Sequence, residues 1–172
     1  MIDIEIRSAQ PRDEDFLWAM LFYAARMAED GATSAEAAKT DPALAKYVRG
    51  WGRPTDFGLI ARTRAAGQPI GAVWARLLIG GERTAGYIDD QTPELAAAVL
   101  PAYHGQGVGT ALLREFIARA PDHFPAVALN VRADNPAFRL YQRVGFVVVS
   151  EITNRVGTKS YNMLLDFRAA GA

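Results

Sequence analysis

The chain has 172 residues, of which 50% are hydrophobic and 22% charged, with no cysteine and two histidines. That length suits one domain with a real core, and the missing cysteine excludes a disulfide framework, a zinc ribbon, an iron–sulfur cluster and a protein thiol nucleophile. Nineteen basic residues balance nineteen acidic ones, so no global field draws the chain onto nucleic acid or an anionic membrane, and neither is expected as a partner. Any thiol chemistry must arrive on a ligand. His104 and His123 lie far apart in sequence, which argues against a metal site, and no G-x-S-x-G elbow surrounds Ser8, Ser34, Ser150 or Ser160. Met1 to Arg7 alternates apolar and charged residues, as a strand does and a signal peptide does not. The apolar run Leu95 to Leu100 is too short to span a bilayer. A soluble, cytoplasmic protein is expected.

After the first strand, Pro11 and Asp13 open a helical stretch in which Phe16, Met20, Tyr23 and Met27 recur every three or four residues, ending near Gly31. A second helical region starts at Thr33 or Ser34, breaks or turns at Asp41-Pro42, and carries Leu44, Tyr47 and Val48 up to the breaker cluster Gly50 to Pro54. Asp56 to Thr63 and Pro69 to Ile79 favour strands joined by a hairpin turn at Ala65 to Gln68. A strand from Glu94 to Leu100 leads through a glycine-rich turn into a helix from about Gly107 to Ala120. Pro125 to Val131 reads as a short buried strand. The next helix has Asn135 as N-cap, Pro136 in its first turn and Gly145 as C-terminal cap. Phe146 to Ile152 and Ser160 to Phe167 read as the last two strands. With no repeat or linker, this order predicts one α/β domain with a mixed sheet.

The strongest chemical signal is Val99-Leu100-Pro101-Ala102-Tyr103-His104-Gly105-Gln106-Gly107-Val108-Gly109-Thr110, a strand entering a turn with three alternate glycines and then a helix. Such glycines let backbone N–H groups converge, and a helix start adds about half a positive charge, which together make a diphosphate site without basic side chains. Three glycines serve a ligand-free turn equally well, so spacing must separate the candidates. No lysine follows as a P-loop requires, and a dinucleotide fingerprint from Gly105 would need glycine where Thr110 stands.

The segment resembles the GNAT superfamily of acyl-CoA-dependent N-acyltransferases, whose pyrophosphate motif is Arg/Gln-x-x-Gly-x-Gly/Ala after a central strand. Gly107 and Gly109 match the two small positions, and His104 stands where Arg or Gln is usual. A second motif, a helix carrying a tyrosine and closing in Gly-Phe, is matched by Asn135 to Phe146 with Tyr141. The resemblance covers about Glu94 to Phe146, and the element order agrees over most of the remainder. It implies a single-domain GNAT fold over residues 1–172, with about seven strands flanked by about four helices. The acetyl-CoA-binding core would run over about 94–152, and acceptor-site elements over about 12–56 and 153–159. By the same resemblance, acetyl-CoA lies along Ala97, Ala98 and Val99 and meets the amides of Gly105, Gln106, Gly107, Val108, Gly109 and Thr110, with Asn135 nearby. As a plain N-cap, Asn135 needs no ligand. The implied reaction moves an acetyl group to a primary amine, with a small-molecule acceptor expected. A protein N-terminus or lysine is the nearest rival, and a non-catalytic CoA-binding module is the alternative from another class. No metal is called for, and the resemblance leaves room for a homodimer.

An attacking amine must be neutral, yet lysine-like amines have a pKa of about 10.4 and α-amines about 7.7 to 8, so a base or ordered water must remove a proton. Glu94 is the first choice, ahead of Asp89, Asp90, Glu29 and Asp30, and Asn130, where some relatives have a glutamate, cannot serve. The resemblance gives Tyr141 the role of acid for the CoA thiolate, while its position on an apolar helix face also fits a core aromatic. A backbone N–H near Val99 or Leu100 is the candidate oxyanion donor. Without cysteine, transfer should be direct, in a ternary complex. Phe22, Tyr23, Tyr47, Trp51 and Trp74 offer aromatic surface for an acceptor pocket, with Asp89 and Asp90 placed to receive a cation.

Overall fold

The alternating N-terminal residues form β1 (Ile4–Ser8); Met1, included in the expected strand, lies outside residues 2–170, which the computed structural model describes. α1 (Glu14–Ala24) follows a turn in which Asp13 accepts from the Gln10 amide and pairs with Arg7 at 2.8 Å. The regular helix therefore stops well short of Gly31. Arg26 sits in the left-handed region at φ 55°, its amide bonds the Tyr23 carbonyl at 3.0 Å, and the Met27 amide reaches back to Phe22 at 3.0 Å. These two bonds close the helix as glycine usually does, and arginine there costs roughly 1–2 kcal/mol. Met27 remains buried beyond the helix end, so the apolar spacing outlasts the helix that it suggests.

The second helical region is two short helices, α2 (Glu36–Thr40) and α3 (Pro42–Ala45), separated by extended Asp41, whose side chain caps the second by accepting from the Ala43 amide at 2.9 Å. β2 (Phe57–Thr63) and β3 (Pro69–Arg76) make the expected hairpin. β3 ends before Ile79, at the fully buried Arg76. Its guanidinium forms a bidentate pair with Asp56 at 3.0 and 2.8 Å and donates to the Lys46 and Arg49 carbonyls at 3.1 and 2.7 Å. A buried charge this fully partnered pins the segment after α3 to the sheet.

β4 (Glu94–Val99) leads into α4 (Val108–Arg119), then β5 (Ala126–Arg132), α5 (Ala137–Arg143), β6 (Val147–Thr153) and β7 (Lys159–Asp166). Asn135 caps α5 by accepting from the Ala137 amide at 2.9 Å, and Gly145 closes it at φ 111°. A single-turn helix, α6 (Phe167–Ala170), occupies the end of the stretch expected to be strand. The α-helices thus number six among the described residues rather than about four, because the second region splits at Pro42 and Phe167–Ala170 is helical.

The seven strands lie in the order β1-β2-β3-β4-β5-β7-β6, antiparallel except for β4 beside β5. Period-two alternation sends Leu59, Ala61 and Val73 to a core under α4 and α5, while Ile60, Ala72 and Trp74 face α1–α3. β4 is paired with β3 along its whole length but meets β5 only at Glu94 and Ala128, where the Ala128 amide donates to Pro93 at 2.9 Å. Beyond that point the strands splay. Leu100 donates to Ile70 at 2.8 Å, so the alternate residues Ala98 and Ala96 also turn their peptide groups to β3. The peptide groups of Ala97 and Val99 consequently face the gap.

Candidate active site

The gap opens into a cleft of about 1210 Å³ bounded by β4, β5, the turn into α4, α5, the end of α1 and the β6–β7 loop. Ala97, Ala98, Val99, Gly105, Gly107, Val108, Gly109, Thr110, Asn135, Tyr141 and Glu94 all line it. Gln106, in the same turn, bonds the Ala102 carbonyl at 3.4 Å.

Gly105 and Gly107 take left-handed φ values of 74° and 82°, which glycine adopts without steric cost. Among the described residues, none of the six N–H groups from Gly105 to Thr110 donates to a protein acceptor; the first helical bond runs from Ala111 to Gly107 at 3.0 Å. Six uncommitted donors at a helix start have the chemistry to hold an anion. A Cβ on Gly109 would stand 3.7 Å from Val99, an ordinary contact, so the close packing of α4 on β4 does not itself require glycine there. His104 uses its Nε2 on the Val99 carbonyl at 2.8 Å, tying the turn to the strand end. Behind the turn, a hollow of about 420 Å³ between α4 and α5 is lined by Thr110, Arg114 and Arg143, two cations that motif reading did not single out.

On the other side of the gap, the Tyr141 ring packs edge-on against Phe146 at 5.7 Å. Its hydroxyl has no hydrogen-bond partner among the described residues, and burial pushes its pKa up to about 12. The group therefore keeps its proton across the ordinary pH range. Glu94 is buried on the cleft lining, one oxygen accepting from the Tyr47 hydroxyl and the other from Thr84. Burial first, then the charge and hydrogen bond of Glu94, push the Tyr47 hydroxyl well above its ordinary range, so Tyr47 is a donor to Glu94. Neither contact follows from a motif, because Tyr47 is forty-seven residues away and Thr84 ten.

The other carboxylates are placed differently. Asp30 binds Arg132 at 3.0 and 2.6 Å and Arg155 at 2.7 Å, and Arg132 holds its carboxyl below the usual range. Glu29 pairs with Arg26. Asp89 and Asp90 do not line the cleft: Asp89 accepts from the Gln91 amide at 2.9 Å, and Asp90 takes the Tyr87 hydroxyl and Arg83. The expectation that this pair receives a cation in the pocket is corrected accordingly. Phe22, Trp51 and Trp74 are core residues, with Trp74 donating to the Tyr47 carbonyl at 3.0 Å, whereas Tyr23 and Tyr47 reach the cleft. Leu100 is removed as an oxyanion donor because its N–H is bound to Ile70. Asn130 donates to Asn162 at 3.0 Å.

The profile of the acetyltransferase (GNAT) family matches residues 18–146. No curated protein matches the sequence significantly. Among solved structures, a GCN5-related N-acetyltransferase from Kribbella flavida is 19% identical, with a TM-score of 0.67 over 95% of this chain and 98% of that one. The aminoglycoside acetyltransferase AAC(6')-Ib in complex with coenzyme A and kanamycin is 17% identical, with a TM-score of 0.66 over 98% of each chain. A spermidine N-acetyltransferase SpeG chimera from Vibrio cholerae and hSSAT is 16% identical, with a TM-score of 0.64 over 95% of each. The glycine turn after a splayed central strand, the tyrosine helix and the profile match agree, and the chain belongs to the GNAT acetyltransferase family.

Proposed function

We propose that the protein transfers an acetyl group from acetyl-CoA to a primary amine of a small molecule, by direct attack in a ternary complex, and that residues 1–172 act as one domain. The observation that carries this reading is the row of six uncommitted N–H groups beside the free edge of β4, opening on the same cleft as Tyr141 and Glu94. That row fits a pyrophosphate, and the Ala97 peptide groups and the Val99 N–H, which face the gap, fit an amide-bearing arm laid along them as an added strand, the Val99 carbonyl being taken by His104. Acetyl-CoA supplies the acetyl thioester and a thiolate leaving group.

In this reading, Glu94 takes the proton of the incoming amine, directly or through a water, with Tyr47 and Thr84 fixing its carboxylate. The Val99 N–H is aimed to stabilise oxyanion charge. A C–N bond forms as the C–S bond breaks, and Tyr141 holds the proton that neutralises the departing sulfur. Asn135 caps α5 at the cleft edge and keeps Tyr141 in place. A small acceptor is supported by the cleft mouth, where Arg132 and Arg155 tie the turn after α1 to the β6–β7 loop through Asp30 and the Ala25 carbonyl. Spermidine and kanamycin in the names of similar structures point the same way. No helix among the described residues is long and apolar enough to cross a membrane, and a cytoplasmic setting fits a reaction that draws on acetyl-CoA.

Thiol release from acetyl-CoA across a panel of amines and peptides tests the reading, with Tyr141→Phe as the control variant. Release with small amines is expected, falling about 10²- to 10⁴-fold in Tyr141→Phe while CoA affinity persists. Unchanged turnover in Tyr141→Phe removes Tyr141 as the acid. Tight CoA binding without release on the whole panel favours the non-catalytic module, and release confined to peptides favours the protein acceptor.

A further inference from the structure

Among the described residues, two carboxylates line the cleft, Glu29 and Glu94, and of these Glu29 is matched to a basic side chain. Asp30 holds Arg132 and Arg155; Glu29 holds Arg26, which lies 3.8 Å from Asp134; Asp90 holds Arg83 at 3.5 Å. Glu94 is the exception, its two oxygens taken by the hydroxyls of Tyr47 and Thr84. One basic side chain lining the cleft is correspondingly without a carboxylate among the described residues. The Lys46 ammonium reaches only the Arg83 carbonyl, at 3.5 Å. Glu82 feels its charge, but both Glu82 oxygens are occupied by Arg53 at 2.9 and 3.0 Å.

Glu94 and Lys46 both line the cleft and form no ion pair with each other among the described residues. Lys46 precedes Tyr47 and Arg83 precedes Thr84; Tyr47 and Thr84 both bond Glu94, and Lys46 bonds back to Arg83. Lys46 is half-exposed, so an acceptor carboxylate beside it would gain by pairing with the ammonium rather than by relieving a buried charge. A plain amine satisfies Glu94 and leaves Lys46 uncompensated, while a polycation brings further positive charge toward Arg26, Lys46, Arg83, Arg132 and Arg155, which outnumber Glu29 and Glu94 on the lining.

We propose that the acceptor is a zwitterion, an amine that also carries a carboxylate as an amino acid does, with its nitrogen at Glu94 and its carboxylate at Lys46. The proposal rests on the N-acetyltransferase reading and specifies the acceptor of that same site. Tyr23, Leu21 and Leu44 line the wall available to the body of such a molecule.

The test measures thiol release at saturating acetyl-CoA for the common amino acids, their carboxamides and a linear polyamine. For the best acceptor, kcat/KM of the acid should exceed that of its amide by about tenfold or more, with the polyamine below both. Lys46→Gln should bring the acid down to the level of its amide, chiefly through KM, and Lys46→Arg should restore most of the difference. Calorimetry should show CoA affinity retained in both variants, and an unchanged Tm confirms that they fold. Equal rates for acid and amide, a faster polyamine, or an acid preference that survives Lys46→Gln overturns the zwitterion proposal while leaving acetyl transfer standing. Absence of thiol release with any amine, while CoA still binds, overturns the acetyltransferase reading and this proposal with it.

Discussion

Along β4 and the turn into α4, the cleft is lined by main chain: uncommitted N–H groups held open by left-handed Gly105 and Gly107, and the unpaired edge at Ala97 and Val99. Across from it, the lining is made of side chains from scattered segments, with Tyr47 and Thr84 meeting on Glu94 while Arg132 and Arg155 meet on Asp30. A main-chain surface needs glycine at a few positions and tolerates change elsewhere, so His104 can stand in an Arg/Gln position and bond the Val99 carbonyl instead. A side-chain surface can be rewritten without altering the sheet. The fold itself is shared with solved structures at 16–19% identity.

If the division holds, substitutions on the two walls should separate binding from turnover. The largest effect is expected from Glu94→Gln, which keeps the shape and removes the proposed base: kcat should fall about 10²- to 10⁴-fold, with CoA affinity by calorimetry unchanged. On the other wall, Gly107→Val forces a β-branched residue into the left-handed region at a cost of about 1–3 kcal/mol. CoA affinity should drop about tenfold or more, since every 1.4 kcal/mol is tenfold, while kcat at saturating acetyl-CoA is largely kept.

A subtler comparison concerns Tyr141. Its hydroxyl is raised in the folded protein from an ordinary value of about 10 to about 12. The folded state therefore favours the protonated phenol, and this contribution is fully present below about pH 10. It is lost as pH rises through about 12. Denaturant unfolding at stepped alkaline pH should show wild type losing stability relative to Tyr141→Phe only in that window. The smallest effect is expected at the cleft mouth. Asp30→Asn leaves Arg132 and Arg155 sharing a neutral amide, and should lower Tm by about 2–4 °C and raise the acceptor KM without changing CoA affinity.

The same contrast governs what could be read from the sequence. Gly105 and Gly107, the Asn135 cap and the Gly145 closure are local demands of the backbone, so each leaves its signature in a few consecutive residues. The early end of α1 left none, because Arg26 occupies the left-handed position in which glycine would have announced it. Glu94 was identifiable as a candidate from its place at the start of β4. Its partners were not, since Tyr47 is brought to it by the Arg76–Asp56 clamp on the segment after α3, a long-range packing event without a sequence period. Asp89 and Asp90 were misplaced for a related reason: proximity in sequence to Glu94 does not carry them around the turn into the cleft.

Initial rates with acetyl-CoA and an accepted amine varied together, combined with intact-mass spectrometry of the quenched enzyme, test the central claim most directly. Direct transfer across the two walls predicts intersecting double-reciprocal lines and no acetylated protein. Parallel lines with a stable acetyl adduct on the chain would contradict it.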